Sequence, residues 1–344
     1  MSEITSEFPH LAELPPTLDD TVSGTPARRP GSVRRSSTID MVWPMGDDQP
    51  LFLLGRARDL LTPTRAEPRI LDAASMSVEI GRPRTVTAIE VEPSSEGIEN
   101  LIGAVGGSAL RSAIDEVVPR ESAAATPLHL LLDDIAGTSL IAGFAKSRAE
   151  PELRMAMNGP PGAEFGKRKG KIICSGLRPD GWADTHRKAQ RYADHAIRPA
   201  GSLGLDDDPI GWHEMPPDPK VGMRRHRRID VWRDEDALGV DAFFRDSCWE
   251  PDGSQLALHE YSITASIDTA SHTLRALTAT PRVLPFPECR WAAPNVERLD
   301  GADVTTFRTH VQQTLTELRA CTHLNDQLRC LAEVPALAKQ LESP

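Results

Sequence analysis

The segment RACTHLNDQLRCL, Arg319 to Leu331, brings Cys321, His323 and Asp326 together at the predicted start of the last helix. Thiolate, imidazole and carboxylate are the usual ligands of zinc. Thiolate and imidazole also select zinc over magnesium or calcium, which prefer oxygen. A helix N-terminus presents free N–H groups and the positive end of its dipole, which favours a thiolate at Cys321. Two further residues lie far away in sequence. Cys289 follows the proline-rich turn LPFPEC, and His259 stands in the strand-like run LALHEYSITASID. Together, Cys289, Cys321, His323 and His259 form a predicted zinc set. Asp326 and His259 are the groups that would move protons in catalysis.

Each residue also has a plainer reading. His323 near a helix start can bond a backbone carbonyl, and Thr322 with Asn325 can serve as an ordinary cap. Cys289 can be a buried small hydrophobe, and Cys248 and Cys330 read as packing residues.

The elements that must position these residues show an internal repeat. RRSSTIDM, Arg34 to Met41, aligns with RRHRRIDV, Arg224 to Val231. LDAASMSVEIG matches LHEYSITASID in apolar alternation. Each is followed by a second alternating run, RTVTAIEVEP and HTLRALTATP. TPLHLLLDDIAGTSLIAGFA then resembles CTHLNDQLRCLAEVPALA, each with an acid soon after a His-Leu pair. Period-two runs predict strands, as in LGVDAFFRD and LALHEYSITASID. Val304, Phe307, Val311, Leu315 and Leu318 form one helical stripe behind Asp303 as N-cap, and the last helix begins at Thr322. MRRHRRID reads as the arginine-rich start of a strand.

The expected architecture is therefore α+β, with two related antiparallel-sheet-plus-helices units forming a pseudo-dimer. The units span 28–146 and 220–340. A disordered tail precedes them over 1–27, and a partly ordered connector, with a short strand at KIICSGL, joins them over 147–219. The first unit contains no cysteine and has Thr126 or Pro127 where the second has Cys321. It keeps His129, expected beside a core of Leu130, Leu131 and Leu132, and the acids Asp133 and Asp134.

Length of 344 residues suits two units, and a hydrophobic content of 39% with 29 Pro and 24 Gly fits a globular chain with long polar connections. A net charge of −11 argues against nucleic-acid binding, which needs a basic surface. Five scattered cysteines fit reduced thiols in the cytoplasm. No run reads as a membrane span, and the acidic start lacks a signal-peptide pattern. There is no nucleophile elbow, phosphate loop or dinucleotide fingerprint.

The residues MRRHRRIDV, LALHEYSITASID, LPFPEC and above all ACTHLNDQL resemble the bacterial family DUF2889, and ICSGL with DDPIGWHEMP resemble its longer members. The resemblance covers residues 28 to 340. Ala320 stands where the family usually has Gly, a change that is tolerated where the backbone torsion stays negative. The family implies no activity. From the residues, one reading is a metal-assisted hydrolase or lyase acting on a small organic substrate in catabolism. Another is a non-catalytic ligand- or partner-binding protein with a structural zinc or thiol site, as a monomer or homodimer. Iron–sulfur scaffolding rests on fold analogy alone.

Overall fold

The computed structural model describes residues 20–43, 50–148, 172–179, 181–183, 197–204, 207–218 and 222–341. Its centre is one antiparallel sheet built from strands β1 (Ser32–Val42), β2 (Leu51–Thr62), β3 (Arg69–Gly81), β4 (Thr85–Glu92), β5 (Arg198–Pro199), β6 (Gly222–Asp234), β7 (Ala237–Trp249), β8 (Gln255–Asp268) and β9 (Leu274–Val283). The order is β4-β3-β2-β1-β6-β7-β8, with β5 and β9 sharing the outer side of β8. The fold is α+β, and both predicted sets of strands lie in the same sheet, joined by β1 and β6.

Helices α1 (Ser108–Val117), α2 (Pro119–Ala124), α3 (Pro127–Ile141) and α4 (Gly143–Arg148) follow β4. Helices α5 (Phe307–Thr314), α6 (Thr322–Arg329) and α7 (Val334–Gln340) follow β9. Thr126 caps α3 by accepting from the His129 amide. Asp303 accepts from the Thr305 amide at the 3-10 turn that leads into α5, so the predicted cap is in place. The predicted long helix stops early, at Leu315, where the backbone leaves helical geometry. The C-terminal residues of α7 do not fray as expected up to Gln340, because Val334 and Leu337 are fully buried.

α3 lies across β1, β2 and β3, and α7 contacts β1 and β6. Pro127–Ala145 is long and apolar enough to cross a membrane by length and composition, contrary to the sequence expectation. Most of it is buried against the sheet and its neighbours, where it serves as a core helix. Two apolar clusters result. One packs α3 on β1 to β3, and the other packs the C-terminal helices on β6 to β9.

The opposite face of the sheet is covered by irregular chain. Arg34 donates to Pro26 O, Arg58 to Ile210 O, Arg224 to Pro216 O, and Arg245 to Val22 O and Gly201 O. These bonds satisfy backbone carbonyls that no ladder would reach. Residues 20–27, assigned from sequence to the disordered tail, are therefore laid on the sheet, with Thr25 buried and donating to Leu203 O at 2.6 Å. Residues 1–19 lie outside the described residues. Ser175–Leu177 of the connector, expected in a strand, forms a 3-10 turn.

Covered on both faces, β1 and β6 are buried along nearly their whole length. A strand in that position usually reads as an apolar run. Here β6 carries Arg224, Arg225, His226, Arg227 and Arg228, each almost fully buried. The alternation of the pleat sends Arg224 and Arg228 to the irregular cover and Arg225 and Arg227 to the helices.

Candidate functional site

On the helix-covered face, Arg225 lies opposite Asp246 of β7, and Asp246 lies opposite His259 of β8. Arg225 Nε and Nη2 grip the two oxygens of Asp246 at 2.8 and 2.9 Å. α6 starts above this row, with Cys321 as its N-cap, and its first turn lowers His323 onto His259. The imidazole centroids are 3.5 Å apart and the planes nearly parallel. His323 Nε2 is 3.7 Å from Asp246 Oδ2. One ligand atom from each of Asp246, His259 and His323 falls within 4.8 Å of the others, the only such trio among the described residues.

Both imidazoles are held neutral. Burial pushes His259 well below the ordinary histidine value, and the adjacent His323 adds to this, against an opposing pull from Asp246. His323 is lowered by burial and by the Arg225 and Arg227 guanidiniums. A neutral imidazole is the form that ligates metal. His259 Nδ1 is buried with no hydrogen-bond partner. Phe244 lies beneath the site, its ring 4.9 Å from the guanidiniums of Arg225 and Arg227.

The trio borders a connected ion network. Arg35, Arg111, Arg225, Arg227, Arg308 and Arg329 pair with Asp59, Asp133, Asp134, Asp246, Asp326 and Glu333. Six guanidiniums meet six carboxylates, so the network is neutral and the desolvation of each charge is offset by opposite charges around it. Asp134 of α3 takes Arg227 bidentately at 2.6 Å for both bonds and Arg225 Nη1 at 3.1 Å. Burial alone would raise Asp326, but Arg111, Arg225, Arg227 and Arg329 outweigh it and hold the carboxyl below its usual range. Asp326 therefore stays ionised, bonded to Arg111 Nη2 at 2.6 Å.

Gly137 of α3 lets this network approach the helix backbone. A Cβ there would collide with Asp326 Oδ2 and lie 2.6 Å from Arg225 Nη1. Alanine is intrinsically the better helix former by about 1 kcal/mol. Gly137→Ala is nonetheless expected to destabilise the protein by about 1–3 kcal/mol in urea unfolding, because the buried pair must move. A stabilised variant would show that the network yields freely.

Cys289 and Cys321 stand outside the trio. With Cys174 they cluster around the buried hydroxyl of Tyr261. The connector delivers Cys174: Ser175 N and Oγ both donate to Ala320 O, and a Cβ on Gly176 would collide with Cys289 Sγ. Ala320 has φ −101°, a torsion that alanine adopts without backbone strain. The thiols stay protonated. Burial raises Cys289 strongly and Cys174 to about 12. Cys321 is also raised by burial, which outweighs the nearby Tyr261 and the amides of Leu324 and His323. The thiolate that the helix N-terminus predicts at Cys321 is therefore not favoured. Cys330 is buried core, its Sγ on Asp326 O, and Cys248 is likewise buried.

The site thus unites His259 and His323 with a residue that sequence reading passed over. Asp246 was legible only as part of FFRDSC, although the same Arg-Asp pair occurs in β2 as Arg58 and Asp59. Residues 223–337 match the sequence model of DUF2889, proteins of unknown function. That segment belongs to the DUF2889 family. No curated protein and no solved structure matches the chain. The DUF2889 segment holds all of Asp246, His259 and His323, together with Cys289, Cys321 and Asp326. Cys174 and the charges of Arg111, Asp133 and Asp134 come from outside it.

Proposed function

We propose that Asp246, His259 and His323 bind one divalent transition-metal ion, and that the chain is a metal-assisted hydrolase or lyase acting on a small organic substrate in the bacterial cytoplasm. The observation that carries this reading is the meeting of two neutral imidazoles and a carboxylate from three separate elements, with His259 Nδ1 unpartnered. Two His and one carboxylate suit zinc, and leave a position for water or substrate. The metal would polarise a carbonyl or supply hydroxide. The surrounding ion network is balanced by itself, so a divalent ion would add net positive charge and favour an anionic oxygen in the open position over a neutral one. Asp326, held below the usual carboxylate range by Arg111, Arg225 and their neighbours, is a weak base and serves to fix Arg225 beside the site, while His259 serves as ligand rather than as proton carrier. Five buried free thiols accord with a reducing compartment.

The reading includes duplication of an ancestral unit, in support of which the ion pairs repeat. Arg34 bonds Asp230 bidentately and Arg224 bonds Asp40 bidentately, across the β1–β6 pair. Arg35 bonds Asp59 as Arg225 bonds Asp246. Asp72 faces Asp59 at the place where His259 faces Asp246. The first unit therefore lacks the histidine, and a single site is expected per chain.

Metal content by mass spectrometry tests the reading on reduced, tag-free protein. About one ion per chain is expected in the wild type. None is expected in folded His259→Ala/His323→Ala. Wild-type protein that takes up no zinc, cobalt or iron on reconstitution would sink the proposal. A metal lost from Cys289→Ser/Cys321→Ser instead would move the site to the thiols. The burial of Asp246 and His259 favours a second reading, a structural ion in a binding protein. X-ray absorption separates the two, since a closed four-ligand sphere of protein atoms marks a structural site.

A further inference from the structure

Arg245 and Arg58 occupy matching places in the sheet, each immediately before a buried aspartate that pairs with a central-strand arginine. Their own surroundings differ. Arg245 of β7 lies opposite Glu260 of β8. It donates from Nε to Glu260 Oε2 at 2.6 Å, and Glu260 is wholly buried and also accepts from the Val22 amide. Arg58 of β2 lies opposite Ala73 of β3, so no carboxylate meets it from the neighbouring strand.

Nothing else replaces that carboxylate among the described residues. Arg58 is 9% exposed; its Nη2 donates to Ile210 O at 2.6 Å, and its Nε is buried without a partner. Asp208 acts on Arg58 through its charge but is itself paired bidentately with Arg28. Arg56, two residues earlier on the same face, donates only to Glu214 O. The local excess of positive charge registers on its neighbours. Burial and then Arg28 and Arg34 lower the Arg58 pKa against an opposing pull from Asp208, and His213 is driven to about 3 by burial and then Arg58 and Arg56. Ala73 and Ser75 face Arg58 and Arg56 across the ladder, and Ala73 is exposed. Where the long side chain of Glu260 lies beside Arg245, the residue beside Arg58 is a small, exposed alanine.

We propose that Arg58, with Arg56 at its rim, binds a small carboxylate anion above Ala73, in the position that the Glu260 side chain takes beside Arg245. This site is on the sheet face opposite Asp246, His259 and His323 and does not depend on a metal there. A desolvated guanidinium N–H without an acceptor, as at Arg58 Nε, is suited to a carboxylate oxygen, with which it makes a charge-assisted bond.

The full-length protein is tested by thermal unfolding in sodium acetate, against sodium chloride at equal ionic strength. Wild type is expected to show a saturable rise in Tm of roughly 3 °C. Ala73→Glu places a tethered carboxylate on Arg58, and is expected to raise Tm without acetate and to abolish the acetate response. Arg58→Gln is expected to abolish the response without the gain. The proposal falls if wild type does not distinguish acetate from chloride, or if Ala73→Glu responds as wild type does. It also falls if Arg58→Gln responds fully, or if phosphate stabilises and acetate does not. Should Arg58→Gln fail to fold, the Ala73→Glu comparison decides alone.

Discussion

Asp134→Ala is expected to lower stability by about 3–5 kcal/mol, the largest single effect in the network. The substitution leaves Arg227 without its bidentate partner and removes one of the acceptors of Arg225, both fully buried. A buried charge that loses its counter-charge keeps its desolvation cost, whereas an exposed pair re-solvates. The same experiment therefore carries its own control. Asp236→Ala breaks the exposed pair with Arg275 and should scarcely move the urea midpoint. A loss below about 1 kcal/mol for Asp134→Ala would mean that the remaining five carboxylates redistribute around the six guanidiniums.

Mild acid is expected to destabilise the protein well before its carboxylates titrate. His213, His226, His259 and His323 are all buried with lowered pKa values. The unfolded chain protonates these rings near the ordinary value of 6.5, and the folded chain does so only at lower pH. Between those limits the unfolded state binds more protons, so stability falls as pH falls. For His213 the window runs from 6.5 down to about 3. Its contribution alone should be about 2 kcal/mol lost by pH 5. Asp40 and Glu260, raised by burial, pull in the opposite sense just above the ordinary carboxylate range and offset part of the loss. Urea midpoints at pH 7, 6 and 5 should fall steadily, and His213→Asn should give a shallower slope. A flat profile over that range would contradict the assignment of neutral, desolvated rings.

The strands were readable because period-two alternation survives wherever one face meets a core, as at Tyr261, Ile263, Ala265 and Ile267 of β8. The α6 start at Thr322 was readable from its polar first turn. What escaped was the meaning of charge at the sheet centre. RRHRR reads only as the arginine-rich start of a strand, because buried arginines are rare, and their burial depends on partners drawn from α3, α6 and β7 for Arg225 and Arg227 and from β1 for Arg224. Those partners are distant in sequence, and no local signal links Arg227 to Asp134. Asp246 was missed for the same reason: its neighbours in sequence say strand, and only the register sets it beside His259. Cys174 sat in a connector read as linker, although the turn it begins packs against Cys289. His323 and His259 were found because imidazoles are scarce enough to be weighed one by one.

The pairing of β1 with β6 bears on what the half without cysteines is for. Ser36, Ser37 and Thr38 lie opposite Arg228, Arg227 and His226. If β6 were laid in that register against a copy of itself, Arg227 would face Arg227, and His226 would face Arg228, with no hydroxyl-sized side chain to make room. A second DUF2889 segment is thus a poor substitute for the first unit at this seam. The small side chains of β1 are the complement to the cationic girdle of β6, so the centre of the sheet is a seam between two unlike strands that a single polypeptide supplies in a fixed ratio.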